Sequence, residues 1–306
     1  MKAIARAGAG TNNIPVDKAT EKGIVVFNTP GANANAVKEA VLASILLSAR
    51  DYIAANTWVN KLSGDDVPKQ IEAGKKQFAG SEIAGKTLGV IGLGAIGVRI
   101  ANDAYRLGMK VYGYDPYVSI EAAWNISHHV KRVSDLKEIF ENCDYITVHV
   151  PLTPDTKGTF NADAFSLMQK GTTIINFARA ELVENDALFD ALETGVVKRY
   201  ITDFGTEELL NKPNVTVFPH VGGSTSEAEL NCAIMAAQTI RRFMETGEIV
   251  NSVNFPRVQQ VLSAPYRITL INKNVPNIVA RISTAVSDFN INIDNIINCL
   301  LYTSPS

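Results

Sequence analysis

Cysteine is scarce and badly placed for cross-linking: there are three, Cys143, Cys232 and Cys299, far apart and odd in number. That excludes a disulfide framework and argues against a zinc site, so no metal is expected and core packing is the expected role of each thiol. Neither sign of charge dominates, with 29 Lys and Arg against 31 Asp and Glu and a formal net charge of −2. Without a basic block, nothing invites nucleic acid or an anionic membrane surface. Long apolar runs are missing too, since the longest, residues 40–47, is interrupted by Ser44 and is far too short for a bilayer. The N-terminus Met-Lys-Ala-Ile-Ala-Arg-Ala-Gly lacks the apolar core and cleavage pattern of a secretory signal, so a cytoplasmic location is expected. A chain of 306 residues can still bury a full core, and two domains with a fragment of a third are expected.

Glycine is concentrated where it is informative. Lys86-Thr-Leu-Gly-Val-Ile-Gly-Leu-Gly-Ala-Ile-Gly97 reads as an apolar strand, a glycine turn and the start of a helix. Gly92, Gly94 and Gly97 form G-x-G-x-x-G, which provides a tight turn, room for a pyrophosphate against the backbone and close packing of helix on strand. Ile96, Ile100, Ala101, Ala104 and Leu107 recur at helical spacing until Gly108. Asp115 closes the next strand, near the roughly 20-residue distance at which a carboxylate accepts from a ribose 2′-hydroxyl. A carboxylate there repels a 2′-phosphate and favours NAD over NADP; the competing reading is that Asp115 only opens the Asp115-Pro116 turn.

The same grammar repeats downstream. Helices closed by Gly171 and Gly195 precede strands at 172–178 and 198–203, and residues 145–150 and 215–218 supply further buried strands. The fold class expected is α/β, a doubly wound parallel sheet of Rossmann type, with ligands beyond the carboxyl ends of its strands. Asp115, Pro151, Ala178-Arg179, Asp203 and Pro219-His220 all fall at such ends. Residues 224–246 read as a long amphipathic helix ending at Gly247, able to carry the chain into another domain. Residues 2–5 and 24–27 read as strands and 17–21 as a short helix, too little to enclose a core alone. Residues 33–52 read as one long apolar helix, either an internal core helix or the interface of a homodimer.

Of four histidines, His128 and His129 sit in a polar stretch and read as solvated, and His149 lies inside a strand and reads as a satisfied interior group. His220 differs, because it follows a strand and precedes Gly222-Gly223, which puts an imidazole on a turn facing the crevice. Arg179 ends another strand, where a guanidinium fork suits a carboxylate. Glu207 and Glu208 follow Asp203, and either could orient His220 and favour its imidazolium. Read blandly, Arg179 is a surface ion pair and the glutamates are solvated.

Asn176-Phe-Ala-Arg-Ala-Glu-Leu-Val183, Asp203-Phe-Gly-Thr-Glu-Glu208 and Pro219-His-Val-Gly-Gly-Ser-Thr225 resemble three signature motifs of the D-isomer-specific 2-hydroxyacid dehydrogenases. Arg6-Ala-Gly-Ala-Gly-Thr-Asn-Asn-Ile14 and Asn28-Thr-Pro-Gly-Ala32 add two more. The resemblance implies an NAD-binding domain at 31–223 and a flavodoxin-like substrate domain, incomplete at its N-terminal side, from 1–30 and 224–256. It implies hydride transfer between NAD and a small 2-hydroxy acid, with Arg179 as carboxylate anchor, His220 as acid/base and Glu207 as its partner. The Ala9 and Gly10 amides would bind substrate, while Gly92, Gly94, Ala95, Ile96, Gly97, Asp115, Val150, Pro151, Phe177, Ala178, Asp203, Gly222 and Gly223 would line the cofactor. A reductase of another 2-oxoacid, an NAD-binding corepressor-like protein and an inactive fragment are the alternatives. Two departures stand out: Ala180 where the family usually has glycine, so that position cannot need a positive φ, and a loop after Asp203 one residue shorter. Residues 265–306 resemble the opening β-α-β of an ACT regulatory domain, so truncation at both ends is expected.

Overall fold

The computed structural model describes residues 1–299 except 262, 264 and 265. It divides into two compact units, Met1–Asn33 with the chain from Thr225 onward, and Ala34–Ser224. The first unit opens with β1 (Ala3–Ala5), α1 (Val16–Glu21) and β2 (Val25–Phe27). The two strands pair in parallel from Ala3 opposite Val25 to Ala5 opposite Phe27. A lone pair of strands is not stable by itself.

The second unit contains α2 (Ala34–Ala49), α3 (Tyr52–Val59), α4 (Val67–Gly74), β3 (Thr87–Ile91), α5 (Gly97–Arg106), β4 (Lys110–Tyr114), α6 (Ile120–Asn125), β5 (Lys131–Arg132), α7 (Leu136–Asn142), β6 (Tyr145–Val148), α8 (Ala162–Ser166), β7 (Thr172–Asn176), α9 (Asn185–Glu193), β8 (Val197–Thr202) and β9 (Val215–Val217). The strands form one seven-stranded sheet in the order β5-β4-β3-β6-β7-β8-β9, every pair parallel. The chain leaves β3 toward β4 and returns on its other side as β6, so a topological switch point lies between β3 and β6, where open α/β sheets bind ligands.

Alternation along the strands builds two cores. On β7, Ile174 packs with Ile139, Phe160 and Leu188, while Ile175 packs with Val41, Ile45 and Ile100 on the other face. The pairs Tyr145/Ile146 and Tyr200/Ile201 divide between the faces in the same way. Each such aliphatic side chain, fully buried, contributes about 1.5–3 kcal/mol. This is the doubly wound α/β arrangement expected.

The helix expected at 33–52 is α2 alone, which stops three residues short of the expected end. α2 ends at Ala49, and Asp51 caps α3, its carboxylate accepting the Ala54 N–H at 3.4 Å. Arg199 on β8 grips the same carboxylate at 2.8 and 3.3 Å and holds it below the usual carboxylate range. Arg199, 148 residues away, thus holds a carboxylate that already caps α3 locally. Val37, Val41, Ile45 and Ala49 of α2 are buried in the unit's own core, and Leu46, Tyr52 and Ile53 remain exposed.

The chain rejoins the first unit through α10 (Ser226–Thr246), capped by the Thr225 hydroxyl on the Ala228 N–H at 3.1 Å and closed by Gly247 at φ 69°. Phe243 meets Phe27 edge-on at 5.5 Å, and Val25, Phe27 and Ile249 form a small core. Buried Asn254 ties the ends together: its Oδ1 accepts the Val26 N–H at 2.9 Å and its Nδ2 donates to Ile24 O and Thr20 Oγ1, each at 3.0 Å. Farther on, α11 (Ile278–Ser287) forms where a helix is expected, but no strand is assigned at 266–271 or 290–293. A strand exists only through its ladder, and Tyr266, Ile268, Leu270 and Ile291 stay exposed, in no strand ladder among the described residues. The expected β-α-β is thus represented by its helix, and 300–306 lie outside the described residues.

Asn254→Ala leaves the Val26 amide without a partner, and a loss of about 1–3 kcal/mol is expected in denaturant unfolding of the first unit. An unchanged midpoint would contradict this account of how that unit closes.

Candidate active site

At the end of β3, Gly92 turns at φ 91°, its N–H donating to Tyr114 O at 2.8 Å. A Cβ at Gly92 would lie 2.7 Å from His149 O, and one at Gly97 only 1.9 Å from Gly92 O. Glycine is therefore obligatory at both, and α5 starts directly over the strand end. A Cβ at Gly94 would meet nothing within 4 Å, which leaves the turn open on its outer side. The Gly94, Ala95 and Ile96 amides have no hydrogen-bond partner among the described residues. This is the anion-receiving end of a helix.

Asp115, at the end of β4, accepts the Leu93 N–H through Oδ2 and the Tyr117 N–H through Oδ1, both at 2.8 Å. It shapes its own turn and also fixes the glycine turn. Each oxygen keeps a second lone pair for a ribose hydroxyl. Beyond β6, His149 is only half satisfied, Nε2 meeting Thr147 Oγ1 at 2.8 Å while buried Nδ1 has no partner. Burial pulls its pKa down to about 3, so the ring is neutral. Val150 packs near Gly92, and Pro151 is exposed.

Phe177 and Ala178 are buried at the end of β7, and Arg179 is exposed just beyond, extended at φ −153°. Its Nη1 donates to Ala178 O at 2.6 Å, and it makes no ion pair with a carboxylate among the described residues. Ala180 then opens a 3-10 turn through Leu182 without a positive φ, as its side chain requires.

Asp203, 4% exposed, follows β8; its Oδ2 accepts the Gly222 N–H at 3.1 Å and its Oδ1 has no partner. Burial raises its pKa, opposed by the Gly222 bond and by the charges of His220 and Arg179. Gly222 is held so close that a Cβ would stand 2.7 Å from Phe177 Cδ1 and 2.8 Å from Asp203 Oδ2. His220, after β9, is at φ 51°, a left-handed conformation that costs about 1 kcal/mol. Its N–H donates to Asp203 O at 3.1 Å and Phe218 O at 3.0 Å, and its exposed ring packs at 4.7 Å from Phe204. Gly223 follows, half-buried.

The structure thus sets Arg179 and His220 beside buried Asp203. Glu207 is exposed on a 3-10 turn with no hydrogen bond to His220, and Glu208 accepts from Asn185 Nδ2 at 2.8 Å. In the first unit, Arg6 Nη1 donates to Gly10 O at 2.5 Å and Thr29 Oγ1 accepts the Gly8 N–H at 2.8 Å, while the Ala9 and Gly10 amides have no partner among the described residues. Sequence reasoning overlooked Asn176 as a site residue, although an amide inside a β-branched strand run was a visible signal. Among the described residues no group of three or more His, Cys, Asp or Glu could hold a metal, and no helix is long and apolar enough to cross a membrane.

A glycine turn with free amides, a carboxylate closing the second strand and an orphaned carboxyl oxygen beyond β8 define a dinucleotide-binding α/β unit. Residues 42–222 match the D-isomer specific 2-hydroxyacid dehydrogenase, NAD binding domain. The chain belongs to the D-isomer specific 2-hydroxyacid dehydrogenase family. It is 38% identical over 266 residues to D-3-phosphoglycerate dehydrogenase of Methanocaldococcus jannaschii, covering 85% of this chain and 49% of that protein. It is 36% identical to the Bacillus subtilis enzyme of that name, covering 84% and 48%. The chain spans about half the length of the curated relatives it matches. Among solved structures, NAD⁺-bound 3-phosphoglycerate dehydrogenase of Entamoeba histolytica aligns with a TM-score of 0.65 and 30% identity over 83% of this chain and 76% of that one. D-mandelate dehydrogenase of Rhodotorula graminis aligns at 0.71 and 27% over 82% and 74%.

Because burial raises the Asp203 pKa, the folded state holds this proton more tightly than the unfolded chain does. The associated stability is present below the usual carboxylate pKa and is lost as pH rises through the raised value. Asp203→Asn removes that loss, so its Tm relative to wild type is expected to rise with pH across the carboxylate range. A pH-independent Tm difference would contradict the burial argument.

Proposed function

We propose that this chain carries the cofactor-binding and acid/base machinery of an NAD-dependent dehydrogenase acting on D-3-phosphoglycerate and yielding 3-phosphohydroxypyruvate, the entry to L-serine synthesis. One observation carries the reading: buried Asp203 has both Arg179 and His220 as charged neighbours, on the same sheet edge as a glycine turn with free amides. The substrate is inferred from the relatives named D-3-phosphoglycerate dehydrogenase. In this reading 31–223 is the NAD-binding domain, 1–30 and 224–256 contribute to a substrate domain, and 265–306 opens an ACT-like regulatory domain.

NAD, when bound, supplies the hydride acceptor. The free Ala95 and Ile96 amides would hold its pyrophosphate, Asp115 a ribose hydroxyl, and the unpartnered Asp203 Oδ1 an amide donor. Arg179 holds the substrate carboxylate and polarises the C2 oxygen. His220 takes the proton of the C2 hydroxyl as C2 is oxidised. Glu207, whose carboxylate has no partner among the described residues, is the orienting partner of His220; Glu208 is held by Asn185. The free Ala9 and Gly10 amides are donors for a carboxylate. A cytoplasmic homodimer joined through the NAD-binding domain fits the exposed Leu46, Tyr52 and Ile53.

His220→Ala and Arg179→Ala are each expected to lower kcat/KM by about 10²–10⁴-fold while NADH still binds, measured by oxidation of NADH with 3-phosphohydroxypyruvate. Wild-type turnover in either variant would contradict the assignment. A higher kcat/KM for glyoxylate or hydroxypyruvate would replace the proposed substrate with those acids.

A further inference from the structure

Behind Arg179 lies a row of buried polar side chains, Asn176, Tyr200 and Thr202. Asn176 is fully buried, and its amide spans the turn that follows β7: Oδ1 accepts the Ala178 N–H at 3.0 Å and the Arg179 N–H at 3.3 Å, while Nδ2 donates to Arg179 O at 2.7 Å. Three backbone partners fix which end of the amide is oxygen. The remaining Nδ2 proton goes to the Tyr200 hydroxyl at 3.2 Å, on the neighbouring strand β8. Tyr200 is 1% exposed, and buried Thr202, two residues farther along β8, stands directly opposite Asn176 in the β7–β8 ladder. Thr202 Oγ1 in turn accepts the Phe204 N–H at 3.0 Å, in the turn that carries Asp203 and sets Phe204 against His220.

Burying three polar side chains in an apolar core is unfavourable unless each is satisfied, and an aliphatic residue at each place would pack without that demand. What an aliphatic residue cannot do is grip both backbone groups of Arg179. We propose that Asn176, Tyr200 and Thr202 form a buried positioning relay that fixes the Arg179 backbone in register with the Asp203–Phe204 turn, so that the carboxylate anchor and the acid/base histidine keep a common geometry. The relay rests on the assignment of Arg179 as carboxylate anchor made above. Asn176 and Tyr200 act through Arg179 and touch no substrate, so they are positioning residues.

The test is a double-mutant cycle on the full chain. Asn176→Ala and the milder Tyr200→Phe, which deletes one buried hydroxyl, are made in wild type and in Arg179→Ala. Binding of 3-phosphohydroxypyruvate to the NADH-loaded protein is followed by NADH fluorescence, with the affinity for NADH itself as the control. Tyr200→Phe is expected to weaken 2-oxoacid binding about 3–10-fold and Asn176→Ala about 10–100-fold, as for an anchor displaced by up to an ångström. NADH affinity should change less than about twofold, and in Arg179→Ala neither variant should weaken the 2-oxoacid further. Equal loss of NADH and 2-oxoacid affinity, undiminished effects in Arg179→Ala, or no effect of Tyr200→Phe would overturn the relay while leaving the anchor intact. Arg179→Ala binding the 2-oxoacid like wild type would overturn the anchor, and the relay with it. If Asn176→Ala fails to fold, Tyr200→Phe decides.

Discussion

Everything at the candidate site depends on how closely the backbone at Gly97 approaches the carbonyl of Gly92. A single added carbon at Gly97 would stand 1.9 Å from that oxygen, well inside any real contact. The approach seats the first turn of α5 on the end of β3 and leaves the amides of residues 94–96 turned outward with no partner among the described residues. Asp115 holds the turn from the next strand through Leu93, and the His149 carbonyl closes it from β6. A helix end, two strand ends and a carboxylate thus constrain one another. The anion-receiving surface is what remains open.

The second half of the site follows from a different constraint, the need to satisfy polar groups where β7, β8 and β9 end. Buried Asp203 is partnered on one oxygen by Gly222 and is bordered by the charges of His220 and Arg179. His220 accepts a left-handed backbone in return for two hydrogen bonds from its amide, one of them to Asp203. Local strain of about 1 kcal/mol at a non-glycine residue persists when its surroundings over-determine it. That is the condition met here.

Much of this was legible in the chain. The glycine spacing, the alternation of β-branched strands with glycine-closed helices and the clustering of Arg179, Asp203 and His220 at strand ends are local patterns, and local patterns survive folding. What was not legible depended on partners distant in sequence. Nothing near Asp51 announces that Arg199 will hold its carboxylate. The expected strands around α11 have the right alternation, yet alternation without a ladder makes no strand.

The central claim is that the open turn at residues 92–97, with Asp115 beside it, is a seat for NAD. Calorimetric titration of the chain with NADH and with NADPH tests it most directly. The account predicts saturable binding of NADH at one site per chain and at least about tenfold weaker binding of NADPH, since the Asp115 carboxylate repels a 2′-phosphate. Equal affinity for the two nucleotides, or no binding of NADH, would contradict it.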